Sequence, residues 1–183
     1  VMALRAHRLA ELRHFVRASG AVAYVGPDAI RDFDYRPMAA QVQRELPHLR
    51  HIVIVGEPGP GQVGHAERLA GAGSDAEVAA ALATVAVDPA EVTTMLLSGG
   101  TTSLSKLIPR THEDYVLNAR LCGAAAGFDG GTVFMAILPL GHNYNLASPG
   151  ILGAFYYGGT VVLAPGTDTA EIFRLVEQER VTV

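Results

Sequence analysis

Leu96-Leu97-Ser98-Gly99-Gly100-Thr101-Thr102-Ser103-Leu104-Ser105-Lys106-Leu107-Ile108-Pro109-Arg110-Thr111-His112 is the stretch whose reading decides the fold and the chemistry of this chain. An apolar run, Met95 to Leu97, breaks at two consecutive glycines, after which hydroxyl side chains and Lys106 crowd together. Adjacent glycines turn without a Cβ penalty, so backbone N–H groups can converge on phosphate oxygens. The hydroxyls would add donors and Lys106 a point charge. Taken alone, the loop reads equally as a polar turn between strands. It is not a Walker A loop, because no Gly-x-x-x-x-Gly-Lys-[Ser/Thr] can be drawn through it.

On the N-terminal side, the loop is fed by a strand over Thr93 to Leu97, opened by the turn Asp88-Pro89-Ala90-Glu91-Val92. Further upstream, an amphipathic helix is expected over His7 to Ser19 with Gly20 as its stop, then a strand over Ala21 to Val25. A helix behind Pro37, Met38 to Leu46, precedes the strand His51-Ile52-Val53-Ile54-Val55. Two helix-then-strand units in succession argue for an α/β fold, a parallel-rich sheet with crossover helices. Gly59-Pro60-Gly61-Gln62-Val63-Gly64 satisfies the dinucleotide pattern Gly-x-Gly-x-x-Gly. Glu57 and Pro58 separate it from the strand, Pro60 stiffens it, and the helix behind it, Ala66 to Ala70, is short. It therefore reads as a Gly/Pro surface loop. A short helix over Asp75 to Leu82 follows.

On the C-terminal side, Thr111-His112-Glu113-Asp114 reads as a helix start in which the Thr hydroxyl and Asp carboxylate satisfy free N–H groups, the helix running to Gly127. A strand over Thr132 to Leu138 ends at Pro139. Just past it lies Leu138-Pro139-Leu140-Gly141-His142-Asn143-Tyr144-Asn145-Leu146-Ala147-Ser148-Pro149-Gly150, at the carboxyl end of a strand, where open α/β sheets bind ligands. One helix from about Ser148 to Tyr157, a strand over Thr160 to Ala164, and a helix over Thr169 to Glu179 capped by Asp168 complete the chain.

The 183 residues carry 14 basic and 18 acidic side chains, a net charge of −4, which gives no electrostatic case for nucleic acid. No apolar run approaches the ~20 residues of a membrane span. The single cysteine, Cys122, fits a reducing, cytoplasmic setting and reads as packing rather than as a nucleophile. Both ends read as cut. His48 and His51 lie three apart but straddle a loop-to-strand boundary, and no cysteine or acidic cluster joins them, so no metal ligands are expected within the protein.

The loop Ser98 to Thr102, with Lys106 to His112, and the segment around His142 together resemble the adenylate-forming enzymes, and within them the aryl acid–AMP ligases (2,3-dihydroxybenzoate or salicylate–AMP ligases) of siderophore biosynthesis. The resemblance spans nearly the whole chain and is specific from about Thr93 onward. It implies that residues 1–183 are a fragment of the large N-terminal AMP-binding domain, with helix/strand units over 1–92 and the phosphate loop and aryl-acid half over 93–183. It implies an ATP- and Mg²⁺-dependent reaction in which the aryl acid becomes an aryl adenylate. A phosphopantetheine thiol on a carrier protein then takes the acyl group.

Carried over residue by residue, Ser98, Gly99, Gly100, Thr101, Thr102 and Lys106 would hold the phosphates. His142 would lie beside the acyl carboxylate, which with Lys106 makes it a candidate catalytic residue. Asn143 would bond the aryl acid, Tyr144 line its ring and Ser148 reach a ring hydroxyl. Arg110 is either a helper near phosphate or a surface arginine. The loop departs from the family pattern Thr-Thr-Gly-x-Pro-Lys, with Ser103 in place of the glycine and Ser105 in place of the proline. The family's adenine-binding segment, ribose-binding aspartate and C-terminal lysine fall beyond Val183. An aryl–CoA ligase shares the anion loop and is the alternative within enzymes; a non-catalytic phosphate-binding fragment is the alternative outside them.

Overall fold

A computed structural model of the protein describes residues 1–99 and 104–183. The chain divides into two compact units, one formed by Val1–Leu4, Asp88–Gly99 and Ile108–Val183, the other by Arg5–Val87 with the segment ending at Leu107. Among the described residues three strand pairings are parallel, and helices alternate with strands along most of the chain. This is the α/β organisation with parallel strands that the helix-then-strand pattern predicts.

In the unit built on Arg5–Val87, helix α1 (Leu9–Ser19) buries Leu12, Phe15 and Val16 along one face and stops at Gly20, which takes the left-handed conformation at φ 64°. Strand β1 (Ala23–Pro27) starts two residues later than expected. A two-stranded antiparallel hairpin follows, β2 (Ala29–Ile30) with β3 (Phe33–Asp34). Helix α2 (Arg36–Glu45) carries Pro37 in its first turn, and its Met38, Ala39 and Val42 are buried. Strand β4 (His51–Val55) alternates exposed and buried residues, with Ile52 and Ile54 inward, and pairs in parallel with β1 so that Tyr24 lies opposite Ile52. The core joins Leu12, Val16, Tyr35, Met38, Val42, Leu46 and Leu49. Burying such side chains stabilises the fold by roughly 25 cal/mol per Å² of apolar surface.

The Gly59–Gly64 stretch is not wholly a loop. Its last two residues form β5 (Val63–Gly64), parallel to β4, and the following α3 (His65–Ala70) is a six-residue helix. Helix α4 (Asp75–Ala83) is capped by Ser74, whose hydroxyl accepts from the Glu77 N–H, and it buries no side chain.

In the other unit, β6 (Val92–Leu97) pairs with β7 (Leu107–Thr111), and α5 (His112–Ala125) follows at once. The Thr111 hydroxyl accepts the Asp114 N–H at 3.3 Å, as the sequence suggests. The Asp114 carboxylate does not cap the helix; it is held by the guanidinium of Arg110. Strand β8 (Val133–Ala136) is shorter than expected because the chain leaves the sheet before Pro139. The helix expected from about Ser148 to Tyr157 is α7 (Gly150–Tyr156), and a further short helix, α6 (Asn143–Ala147), precedes it where the sequence reads as a polar loop, the two separated by Ser148 and Pro149. Strand β9 (Thr160–Leu163) pairs in parallel with β8, and Thr182 and Val183 bond the backbone of Val133. Helix α8 (Thr169–Gln178) is capped by Asp168 but buries no residue fully. Two apolar clusters hold this unit, one of Leu96, Tyr115, Leu146 and Ala147, the other of Phe128, Phe134, Ala136 and Ala154.

Candidate active site

The break between α6 and α7 is built by local backbone chemistry. Pro149 lacks an N–H and so cannot continue α6. Gly150 sits at φ 52°, and a Cβ there would overlap the carbonyl of Asn145, so only glycine fits the turn. Upstream, the buried Asn145 donates its amide Nδ2 to the carbonyl of Leu138 at 2.6 Å, tying α6 to the end of the β8 segment. Asn143 and Ser148 therefore stand at opposite ends of one short helix.

The predicted aryl-acid residues meet there. Asn143 Nδ2 donates to Ser148 Oγ at 2.9 Å, and both residues are half-buried. His142 is the N-cap of α6, with Nδ1 accepting the Tyr144 N–H at 3.3 Å, and its ring is exposed. With Nδ1 an acceptor, the neutral imidazole carries its proton on Nε2 and presents a donor. Tyr144 is exposed and its ring packs in no core cluster among the described residues.

Helix α5 supplies residues that the sequence reading passed over. The Tyr115 hydroxyl donates to Asn143 Oδ1 at 2.9 Å, and Asn118 Nδ2 donates to the carbonyl of Ala147 at 2.6 Å and to Ser148 Oγ at 3.4 Å. Cys122 donates its thiol to Asn118 Oδ1 at 3.9 Å, a packing and hydrogen-bonding role. Tyr115, Asn118 and Cys122 are spaced three and four apart, which puts them on one stripe of the helix. That spacing was the available signal, but a polar stripe on a helix does not announce which loop it meets.

Burial pushes the Tyr115 phenol above its ordinary pKa, and the guanidinium of Arg110, 5.3 Å from the ring centroid, pulls the other way. Arg110 hydrogen bonds hold the Asp114 carboxyl below the usual carboxylate range. Arg110, at the end of β7, is thus engaged with the first turn of α5. Beside Tyr115 lies a cavity of about 350 Å³ lined by Thr93, His112, Val116, Leu152 and Phe155 among others; Asn143, Tyr144 and Ser148 do not line it.

Of the phosphate-loop residues, Ser98 is half-buried and Gly99 exposed just after β6, and Lys106 is exposed just before β7. Gly100, Thr101 and Thr102, with the atypical Ser103, lie outside the described residues. The carbonyl of Ser105 meets His14 Nε2 at 2.9 Å, which anchors the segment carrying Lys106 to α1. His48 Nε2 contacts the carbonyl of Val16 at 3.2 Å, and among the described residues no group of three or more His, Cys, Asp or Glu could hold a metal ion. No helix among them is long and apolar enough to cross a membrane.

Comparison with known proteins gives these residues a context. The chain is 41% identical to the 2,3-dihydroxybenzoate-AMP ligase of Bacillus subtilis and 43% identical to the salicyl-AMP ligase / salicyl-S-ArCP synthetase of Mycobacterium tuberculosis, in each case over 100% of its length. It spans about a third of those relatives, 32% and 31% of their respective lengths. The apo structure of MbtA from Mycobacterium smegmatis superposes with a TM-score of 0.87 at 36% identity, covering 99% of this chain and 32% of that one. The family model for AMP-binding enzymes matches residues 1–183, and the chain belongs to that family.

Proposed function

We propose that the full-length protein activates an aryl acid, 2,3-dihydroxybenzoate or salicylate, as its aryl adenylate for siderophore biosynthesis, and passes the acyl group to the phosphopantetheine thiol of a carrier protein. The observation that carries the reading is the Asn143–Ser148 pair, two polar groups joined at 2.9 Å across a helix break that only Gly150 permits. An apolar slot with a few fixed polar groups is what an aromatic acid bearing phenolic hydroxyls requires. The names of the relatives support the same substrate class.

In the first half-reaction a carboxylate oxygen of the aryl acid attacks the α-phosphorus of ATP. The new P–O bond forms as the bond to pyrophosphate breaks. Catalysis of such a step is positioning plus stabilisation of negative charge. His142, offering Nε2–H, would hold the acid's carboxylate. Lys106 with Ser98, Gly99, Gly100, Thr101 and Thr102 would hold the β- and γ-phosphates, and Mg²⁺ would enter with the triphosphate and neutralise its charge. The test is aryl-acid-dependent ATP–pyrophosphate exchange in the full-length protein, followed by transfer to a carrier protein or to coenzyme A. Transfer to coenzyme A alone would replace the carrier-protein reading with an aryl–CoA ligase.

A further inference from the structure

His14 and Ser105 lie 91 positions apart in sequence and fall in the same unit, the one built on Arg5–Val87. His14 stands on α1 beside Phe15, a residue 2% exposed, and its half-buried ring tilts against the Phe15 ring with centroids 5.8 Å apart. Its Nε2 reaches the carbonyl oxygen of Ser105 at 2.9 Å. A backbone carbonyl only accepts, so Nε2 carries the proton and donates, and the contact itself fixes the tautomer. That carbonyl belongs to the peptide unit whose nitrogen is that of Lys106. A peptide unit is planar, so holding its oxygen also holds the Lys106 nitrogen and Cα. Ser105 stands where the family pattern has proline; no ring locks its φ, and the setting of this residue falls to contacts such as this one.

We propose that His14 is a positioning residue for ATP: by gripping the Ser105 carbonyl it sets the peptide plane that carries Lys106, and so presets the phosphate-binding arm before the nucleotide arrives. The inference rests on the reading of Lys106 as a phosphate-binding residue given above and deepens it. His14 acts through the backbone and not on the phosphates. Without its bond, the arm would have to be ordered at the moment of binding, and that cost would appear as weaker ATP affinity. A single neutral hydrogen bond of this kind corresponds to about three- to tenfold in an equilibrium constant. The aryl acid makes no use of this arm, so the loss falls on one substrate and spares the other.

The experiment uses the full-length protein as wild type, His14→Ala, His14→Gln and His14→Asn. It measures binding of Mg²⁺-ATP by calorimetry, aryl-acid-dependent pyrophosphate exchange, and Tm. His14→Ala should weaken ATP binding and raise the KM for ATP by about three- to tenfold, with the KM for the aryl acid changed by less than about twofold. Glutamine places an amide NH₂ where Nε2 stood and should restore most of the loss. Asparagine, one carbon shorter, places it at the level of Nδ1 and should not. Unchanged ATP binding in His14→Ala would overturn the inference while leaving aryl-acid activation intact. So would a loss that falls equally on ATP and aryl acid, or one that glutamine and asparagine share in step with Tm, because His14 would then be a packing residue of α1. A wild type that binds ATP in a His14-dependent way but exchanges with no aryl acid would remove the aryl-acid reading and support this inference. A wild type that binds no ATP would remove both.

Discussion

Asn143 and Ser148, five residues apart and on either side of a helix break, are bonded to one another at 2.9 Å through Nδ2 and Oγ. On the proposed aryl-acid reading, neither side chain would act as an isolated reader of the substrate. Removing one leaves the other without its partner, at a cost of roughly 1–3 kcal/mol. Asn143→Ala and Ser148→Ala should each lower kcat/KM for salicylate and 2,3-dihydroxybenzoate by about ten- to a hundredfold, with smaller losses for benzoate. Because the two residues share one bond, the double variant should lose less than the product of the single losses. Independent, multiplicative losses in a double-mutant cycle would show that the pair is not coupled.

Gly150 makes that pairing possible. Its φ of 52° and the overlap any Cβ would have with the Asn145 carbonyl mean that Gly150→Ala must strain the turn or move α6. A left-handed conformation alone costs a non-glycine residue about 1–2 kcal/mol. The expected outcome is a lower Tm together with a raised KM for the aryl acid. A variant with wild-type Tm and KM would mean the turn is not constrained as described.

Lys106 is exposed just before β7, and in sequence it follows a stretch rich in glycine and hydroxyl residues. Lys106→Ala should raise the KM for ATP or lower kcat while the affinity for aryl acid changes much less. Titration of the aryl acid by intrinsic fluorescence, beside ATP-dependent exchange, separates the two effects. Full ATP use by this variant would remove Lys106 from the phosphate site.

The half-buried phenol of Tyr24 supplies a pH signature. Desolvation raises its pKa from the usual value to about 12. A group whose folded pKa lies above its unfolded value contributes stability that is present below the unfolded pKa, near 10 for tyrosine, and is lost as pH rises through the folded one. Between pH 10 and about 12 the wild type should therefore lose stability that Tyr24→Phe retains, seen as converging or crossing denaturation midpoints. A constant difference between the two proteins across that range would contradict the assignment.

Much of this architecture is legible along the chain because local rules and tertiary packing agree. His51–Val55 alternates as a half-buried strand should, Gly20 stops α1 in the left-handed conformation, and Thr111 and Asp168 cap the helices they precede. The exceptions have physical causes. The β2–β3 hairpin turns at Arg31, at φ 52°, without the glycine or asparagine that marks such turns. Helix α6 begins at a histidine N-cap, outside the Ser/Thr/Asp/Asn signature, so the cluster at 142–144 reads as loop. The Gly-x-Gly-x-x-Gly match begins beyond β4, separated from it by residues 56–58, and ends in another parallel strand, Val63–Gly64, before a short helix. That is not the strand-turn-helix a dinucleotide fingerprint requires. His142, Asn143 and Ser148 could be singled out because a family motif carries them. Tyr115 and Asn118 could not, because their role depends on a contact some thirty residues away, |i−j| being 28 and 30.

The most direct test of aryl-acid activation is ATP–pyrophosphate exchange by the full-length protein, measured with salicylate, 2,3-dihydroxybenzoate, benzoate and an aliphatic acid of similar size. Exchange that depends on the ortho-hydroxylated acids, is weaker with benzoate and is absent with the aliphatic acid is the predicted result. Exchange supported equally by the aliphatic acid, or by none of the four, would contradict it.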